Sequence, residues 1–117
     1  MLITTTPTID GYRITAVIGA VFGVVVRSRG LGGNIMAGLR SLGGGEIHEY
    51  TQLLEQTRTE AIGRLATRAQ QLGANAIVSM RFDSSAIGDI MSEIVAYGTA
   101  VQVVADGAAA QGRPAQD

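Results

Sequence analysis

Apolar and polar positions change rhythm several times along this chain, and each rhythm predicts an element. Leu2 to Thr5 reads as a short strand, stopped by Pro7 and the turn pair Asp10-Gly11. Tyr12 to Val26 is predicted as one long strand, or two with a glycine bend between them. Its middle, Ala16 to Val26, is a continuous apolar run between Arg13 and Arg27. That run is too short for a bilayer, which takes about twenty residues. No small-residue cleavage site follows it, only Arg27-Ser28-Arg29, so it does not read as a signal peptide. Gly19 and Gly23 form a GxxxG, which favours helix pairing only in an apolar stretch of membrane length. A buried strand rich in β-branched residues accounts for the run.

Ser28 to Gly45 is dense in glycine, with a short helix predicted around Asn34 to Leu42. Asn34 could cap it, and Ile35, Leu39 and Leu42 would share one face. From Glu46 to Leu72 the rhythm becomes helical: Ile47, Tyr50, Leu53, Leu54, Ala61, Ile62, Leu65, Ala66, Ala69 and Leu72 recur mostly in steps of three and four. Glu46 and Glu49 in the first turn, and Arg64 and Arg68 near the end, suit the helix dipole. Gly73 is the expected terminator, in the left-handed conformation that glycine takes without penalty.

Ala74 to Ser84 and Met91 to Val104 alternate as two strands around a turn at Ile87-Gly88-Asp89, which predicts an antiparallel hairpin. With Asp83 set opposite Glu93, one face carries Phe82 with Ile94, Met80 with Ala96, Val78 with Gly98, and Ala76 with Ala100. The small residues Ala96, Gly98 and Ala100 would form a floor for the long helix. The other face carries Arg81, Asp83, Glu93, Tyr97, Thr99 and Val101, a mixture suited to contact with another subunit. This register sets two carboxylates face to face, which is unfavourable unless Arg81 or a neighbouring chain compensates. Beyond Val104 the chain is small and polar. Residues 1–104 are therefore expected to form one domain and residues 105–117 a disordered tail.

Composition narrows the function classes. The chain has 117 residues, a formal charge of −1, no Cys and no Trp. Its basic residues are all Arg and lie scattered, so no stripe exists to neutralise a run of phosphates, and nucleic-acid binding is not expected. The absence of Cys excludes disulfides, thiolate metal sites and thiol catalysis. A cytoplasmic protein without membrane association is the expectation.

An ordered set of short pieces resembles a known family. The pieces are Thr5-Thr6-Pro7-Thr8 with Asp10-Gly11, Gly33-Asn34, Ala37-Gly38-Leu39-Arg40, Gly44-Gly45-Glu46, and Glu49-Tyr50-Thr51. They continue through Leu72-Gly73-Ala74-Asn75-Ala76, Arg81-Phe82-Asp83, and Ala96-Tyr97-Gly98-Thr99-Ala100-Val101. In this order they resemble the YbjQ-like family, which carries a heavy-metal-binding label. The resemblance covers the chain except its tail. It implies an α+β fold of the dodecin-subunit type, a small antiparallel sheet covered by one long helix plus a short helix. It also implies a ring-shaped homo-oligomer, a pentamer.

The label invites a count of ligands. Glu46, His48 and Glu49 are the candidate metal-binding residues, His48 being the sole imidazole. Soft metals prefer thiolate, which this chain lacks. On one helix turn His48 points away from both glutamates, at about 100° per residue, so a single chain does not converge three ligands there. Ring symmetry could bring copies together, but the ligand count does not support a metal cofactor. Gly30, Gly32 and Gly33 could present N–H groups to an anion, yet neither a third fingerprint glycine nor a GxxxxGK is present. Arg40 is the residue there that could reach an anion or, by preference, a neighbouring subunit's carboxylate. No local motif joins His48 to a nucleophile, and the pairs Asp83–Glu93 and Glu46–Glu49 read as surface carboxylates, so an enzyme is not expected. Two functions remain: a structural or interaction ring, and a ring that binds a metal ion or small ligand at its axis or between subunits.

Overall fold

The computed structural model describes residues 1–28, 48–88 and 91–107; the side chains at 28 and 48–50 also lie outside the described set. The elements among these residues are β1 (Leu2–Ile3), β2 (Tyr12–Ser28), α1 (His48–Gln71), β3 (Ala76–Ile87) and β4 (Met91–Ala105). The expected glycine-dense connection, its short helix at Asn34 to Leu42, Arg40, and residues 108–117 of the tail fall outside the described residues.

One four-stranded sheet runs in the order β1-β3-β4-β2. β4 pairs antiparallel with both β2 and β3. β1 corrects the expectation of a purely antiparallel sheet, because it lies parallel to β3, with Leu2 beside Ala76 and Ile3 beside Ile77. Parallel neighbours need a long crossover, and β2 and α1 supply it. The apolar run is strand throughout, but it is not the buried strand expected: Val21 and Val25 lie in the core while Val17, Phe22, Val24 and Val26 on the other face are exposed. Register shifts fall between Ile14 and Ala16 and between Val17 and Gly19. Each shift inserts one residue and turns the strand without breaking its pairing.

The hairpin register differs from the expected one. Asp83 lies opposite Val95, and Ser85 opposite Glu93, so the proposed carboxylate pair does not exist. The Ser85 hydroxyl donates to Glu93 Oε1 at 3.2 Å instead. Nearer the domain body a bulge sets Ser79 and Met80 against Gly98, between the pairs Val78–Thr99 and Arg81–Tyr97. Ser79 takes a left-handed φ of 55° to make it. The bulge reverses the alternation along β3. Ile77, rather than Ala76 or Val78, joins Met80, Ala96 and Ala100 in the core under the helix. Ala76 and Val78 turn to the other face, where Val101, Val103 and Ile9 cover them. Strict alternation from the sequence could not anticipate this, because a bulge adds one residue to one strand only.

α1 buries Thr57, Ala61, Leu65 and Ala69, a stripe in steps of four. The buried Thr57 hydroxyl donates to the Leu53 carbonyl at 2.8 Å, so it adds no unsatisfied group. Gly73 ends the helix region at φ 88°, as its position predicts. The stripe packs on Val21, Val25, Ala96 and Ala100. The point of closest approach is Gly23 of β2: a Cβ there would strike the Ala61 carbonyl oxygen and the Leu65 amide nitrogen, and lie 3.0 Å from Leu65 Cα. Gly98 was the glycine expected beneath the helix. A Cβ on it would instead meet β3, at 2.8 Å from Ile77 Cγ2, 3.0 Å from the Val78 carbonyl oxygen and 3.2 Å from Met80 Cα. It is small to admit the bulge.

Candidate interaction surface

The sheet has one face under α1 and one facing away. Register places Ile14, Val17, Phe22, Val24 and Val26 of β2 on the outward face, beside Val103, Val101, Tyr97, Val95 and Glu93 of β4. The segment before β2 covers one end of this face through Ile9. Its remainder is open: Val17 is 68% exposed, Phe22 55% and Val26 48%. The Phe22 and Tyr97 rings stack there, 6.2 Å apart. The expected outer-face set on β4 is observed, except that Val101 is fully buried.

Among the described residues both borders of the sheet are also open. β1 flanks only the start of β3, so among the described residues Phe82 to Ile87 has no neighbour on that side. Residues Arg81 to Gly88 are all exposed, on both faces, as an arm of the hairpin. Arg58 of α1 stacks its guanidinium 5.5 Å from the Phe82 ring at the base of this arm. Arg81 Nη1 ties the arm to the Thr5 carbonyl at 2.8 Å.

The opposite border is β2. Between it and α1 runs an open groove of about 620 Å³, lined by Phe22, Gly23, Val24, Gly63 and the charged residues Glu60, Arg64 and Arg68, among others. Arg64 Nη1 donates to the Val24 carbonyl at 2.6 Å. Its Nη2 lies 3.2 Å from Glu60 Oε2, while Arg27 Nη2 lies 3.4 Å from Glu60 Oε1. These groups are well exposed, so the pairs orient side chains more than they stabilise the fold.

The expected metal ligands are not assembled by what is described. His48 and Glu49 open α1 as backbone; their side chains, and Glu46 altogether, lie outside the described residues. Among the described residues no three His, Cys, Asp or Glu side chains cluster as a metal site. No described helix is long and apolar enough to cross a membrane. The open borders and the β2–α1 groove were not foreseen from the sequence. No local signal marks them, because β2 is paired with β4 along its whole length and its place at a border follows from strand order alone.

The comparisons with known proteins agree on the family. The YbjQ-like family model, described as "Putative heavy-metal-binding", matches residues 1–104. A UPF0145 protein of Bradyrhizobium sp. (strain ORS 278) is 60% identical over 103 residues, covering 88% of this chain and 93% of that one. A UPF0145 protein of Thermoplasma volcanium is 59% identical over 103 residues, covering 88% and 84%. Neither name states an activity. A solved structure of a DUF74-family protein of unknown function from Pediococcus pentosaceus superposes with a TM-score of 0.58 at 19% identity. It covers 89% of this chain and 98% of that one, a likeness of fold alone. On the matched model and these identities over most of both chains, this chain belongs to the YbjQ-like family, whose members carry the name UPF0145.

Proposed function

We propose that this protein acts as a non-enzymatic structural or interaction module, a cytoplasmic homo-oligomer closed into a pentameric ring from dodecin-like subunits. The observation that carries the reading is the uncovered outer face of the sheet, with Val17, Phe22, Val24, Val26 and Tyr97 exposed together. A contiguous apolar patch of this kind marks a contact surface. A core built chiefly of Ala and Val also gains from burial between subunits. The test is sedimentation of the purified chain. One species at about five times the 12.1 kDa chain mass is expected, and a clean monomer at micromolar concentration refutes the reading. Tyr97→Asp, which sets a charge against Phe22, should weaken assembly more than it lowers helix content.

The description of the matched family favours a second reading, a ring that holds a metal ion or small ligand at its axis or between subunits. Glu46, His48 and Glu49 would be its ligands, contributed by several copies. Elemental analysis of the purified protein, followed by thermal unfolding with added divalent metals, separates the two. A specific ligand raises the unfolding temperature by mass action, and a scaffold does not respond.

A further inference from the structure

The two open borders of the sheet are complementary at one level. Val95 of β4 has Val24 of β2 on one side and Asp83 of β3 on the other. In an antiparallel pair, successive residues direct both backbone polar groups alternately toward the partner and away from it. The Val24 carbonyl reaches the Arg64 guanidinium on α1, so Val24 belongs to the outward-directed set, with Phe22 and Val26. The pairing of β4 then directs Asp83 inward and Phe82, Ser84 and Ala86 outward. The Ser84 amide agrees, since it donates to its neighbour Asp83 Oδ1 at 2.9 Å rather than to β4. Each border therefore carries one backbone group capped by a side chain: an acceptor capped by Arg64, and a donor capped by Asp83. The caps have opposite charge.

From this juxtaposition we infer that β2 of one copy receives the distal half of β3, Phe82 to Ile87, from a second copy, continuing the sheet head to tail. β2 and β3 both run antiparallel to β4, so with the helices of both copies on the same face of the continued sheet the new pair is parallel. A parallel ladder needs an outward residue opposite an inward one. Val24 opposite Asp83 meets that need, with the Phe82 carbonyl accepting from the Val24 amide and the Ser84 amide donating to the Val24 carbonyl. The displaced caps are released to opposite faces of the joined sheet, Arg64 on the side of α1 and Asp83 on the outward side with Val95. Charge supports the same partner: the groove carries Arg64 and Arg68 against Glu60, whereas the arm and the strand beside it carry Asp83 and Glu93 against Arg81. The contact is heterologous, and such contacts close into rings when their rotation allows. This inference rests on the assembly reading above and adds to it which surfaces meet.

The chain has no cysteine, so introduced pairs report cleanly. Val26 and Ser85 flank Glu93 at one level, on the outward face. Val26→Cys combined with Ser85→Cys should, on mild oxidation, give covalent multiples of the chain on a denaturing gel, and neither single variant should. Phe22→Cys and Val24→Cys, each with Ser85→Cys, cover a stagger of the ring. Ser84→Pro removes the proposed donor, yet leaves the pairing with β4 intact because that amide points outward. It should sediment as smaller species with unchanged helix content. An intact oligomer that cross-links at none of the three positions and is indifferent to Ser84→Pro overturns the edge pairing and leaves the assembly reading standing. Cross-linked dimers from a single-cysteine variant overturn the head-to-tail arrangement. A parent protein that sediments as a monomer overturns both.

Discussion

Gly23→Ala tests the packing of the helix on the sheet at its tightest point. The new Cβ would overlap the Ala61 carbonyl oxygen and the Leu65 amide nitrogen, and sit 3.0 Å from Leu65 Cα. All three atoms belong to the helix backbone, so no side-chain rotation relieves the clash. To restore separations near 3.5 Å, α1 must retreat by roughly an ångström, which forfeits about a quarter to a half of each dispersion contact. Leu65 is fully buried. At about 40–60 contacts of roughly 0.1–0.2 kcal/mol each, a quarter lost at Leu65 alone is about 1–3 kcal/mol. Ala61 and Ala69 add to that loss. Against it, replacing glycine in a strand returns roughly 0.5–1 kcal/mol of backbone entropy. The net expectation is a destabilisation of about 2–3 kcal/mol. At about 4–8 °C per kcal/mol for a domain of this size, Tm should fall by roughly 10–20 °C. The control is the same substitution at Gly63, which lies on α1 with open space around its would-be Cβ. There alanine should gain about 1 kcal/mol of helix propensity and raise Tm. Thermal unfolding followed by circular dichroism reads both. If Gly23→Ala melts at or above the parent, the helix does not approach β2 as described.

Three further outcomes are expected. Gly98→Val should cost about 1–3 kcal/mol by overpacking the β3 bulge, whereas Thr99→Val on the outward face should change Tm little; the reverse order would mean that the faces of β4 are exchanged. Asn75→Ala removes two bonds to Val103, Nδ2 to its carbonyl at 2.9 Å and Oδ1 from its amide at 2.8 Å. It should destabilise by about 1–3 kcal/mol in denaturant unfolding, and an unchanged midpoint would show that water replaces the side chain at no cost. His48→Ala should leave stability and any response to divalent metals nearly unchanged, because one imidazole without thiolates makes a poor site. Loss of tight zinc or nickel binding in that variant would establish a shared site in the assembly.

Local patterns in the sequence determined the elements. The three-and-four spacing from Leu53 to Ala69, Gly73 beyond it, the β-branched run before Arg27 and the alternation on either side of Gly88 each act within a few residues, and each appears where expected. The two faces of β4 were legible for the same reason, since that strand carries no bulge against β2 from Gly19 onward. The candidate metal residues Glu46, His48 and Glu49 were legible only as residue types in the sequence, and their side chains lie outside the described residues. Tertiary structure decided what depends on long-range register. The last described pair of the hairpin is Ile87 with Met91. The register seats Glu93 against Ser85 rather than Asp83, which avoids facing carboxylates and could not be read from alternation alone. The bulge at Ser79 reversed the faces of inner β3, moving Ala76 and Val78 out and Ile77 in. Sheet order placed β2 at a border, so the helix came down on Gly23 rather than Gly98. Among the described residues it also left two unpaired strand edges, and strand order is a property of the packed chain that no local stretch of residues encodes.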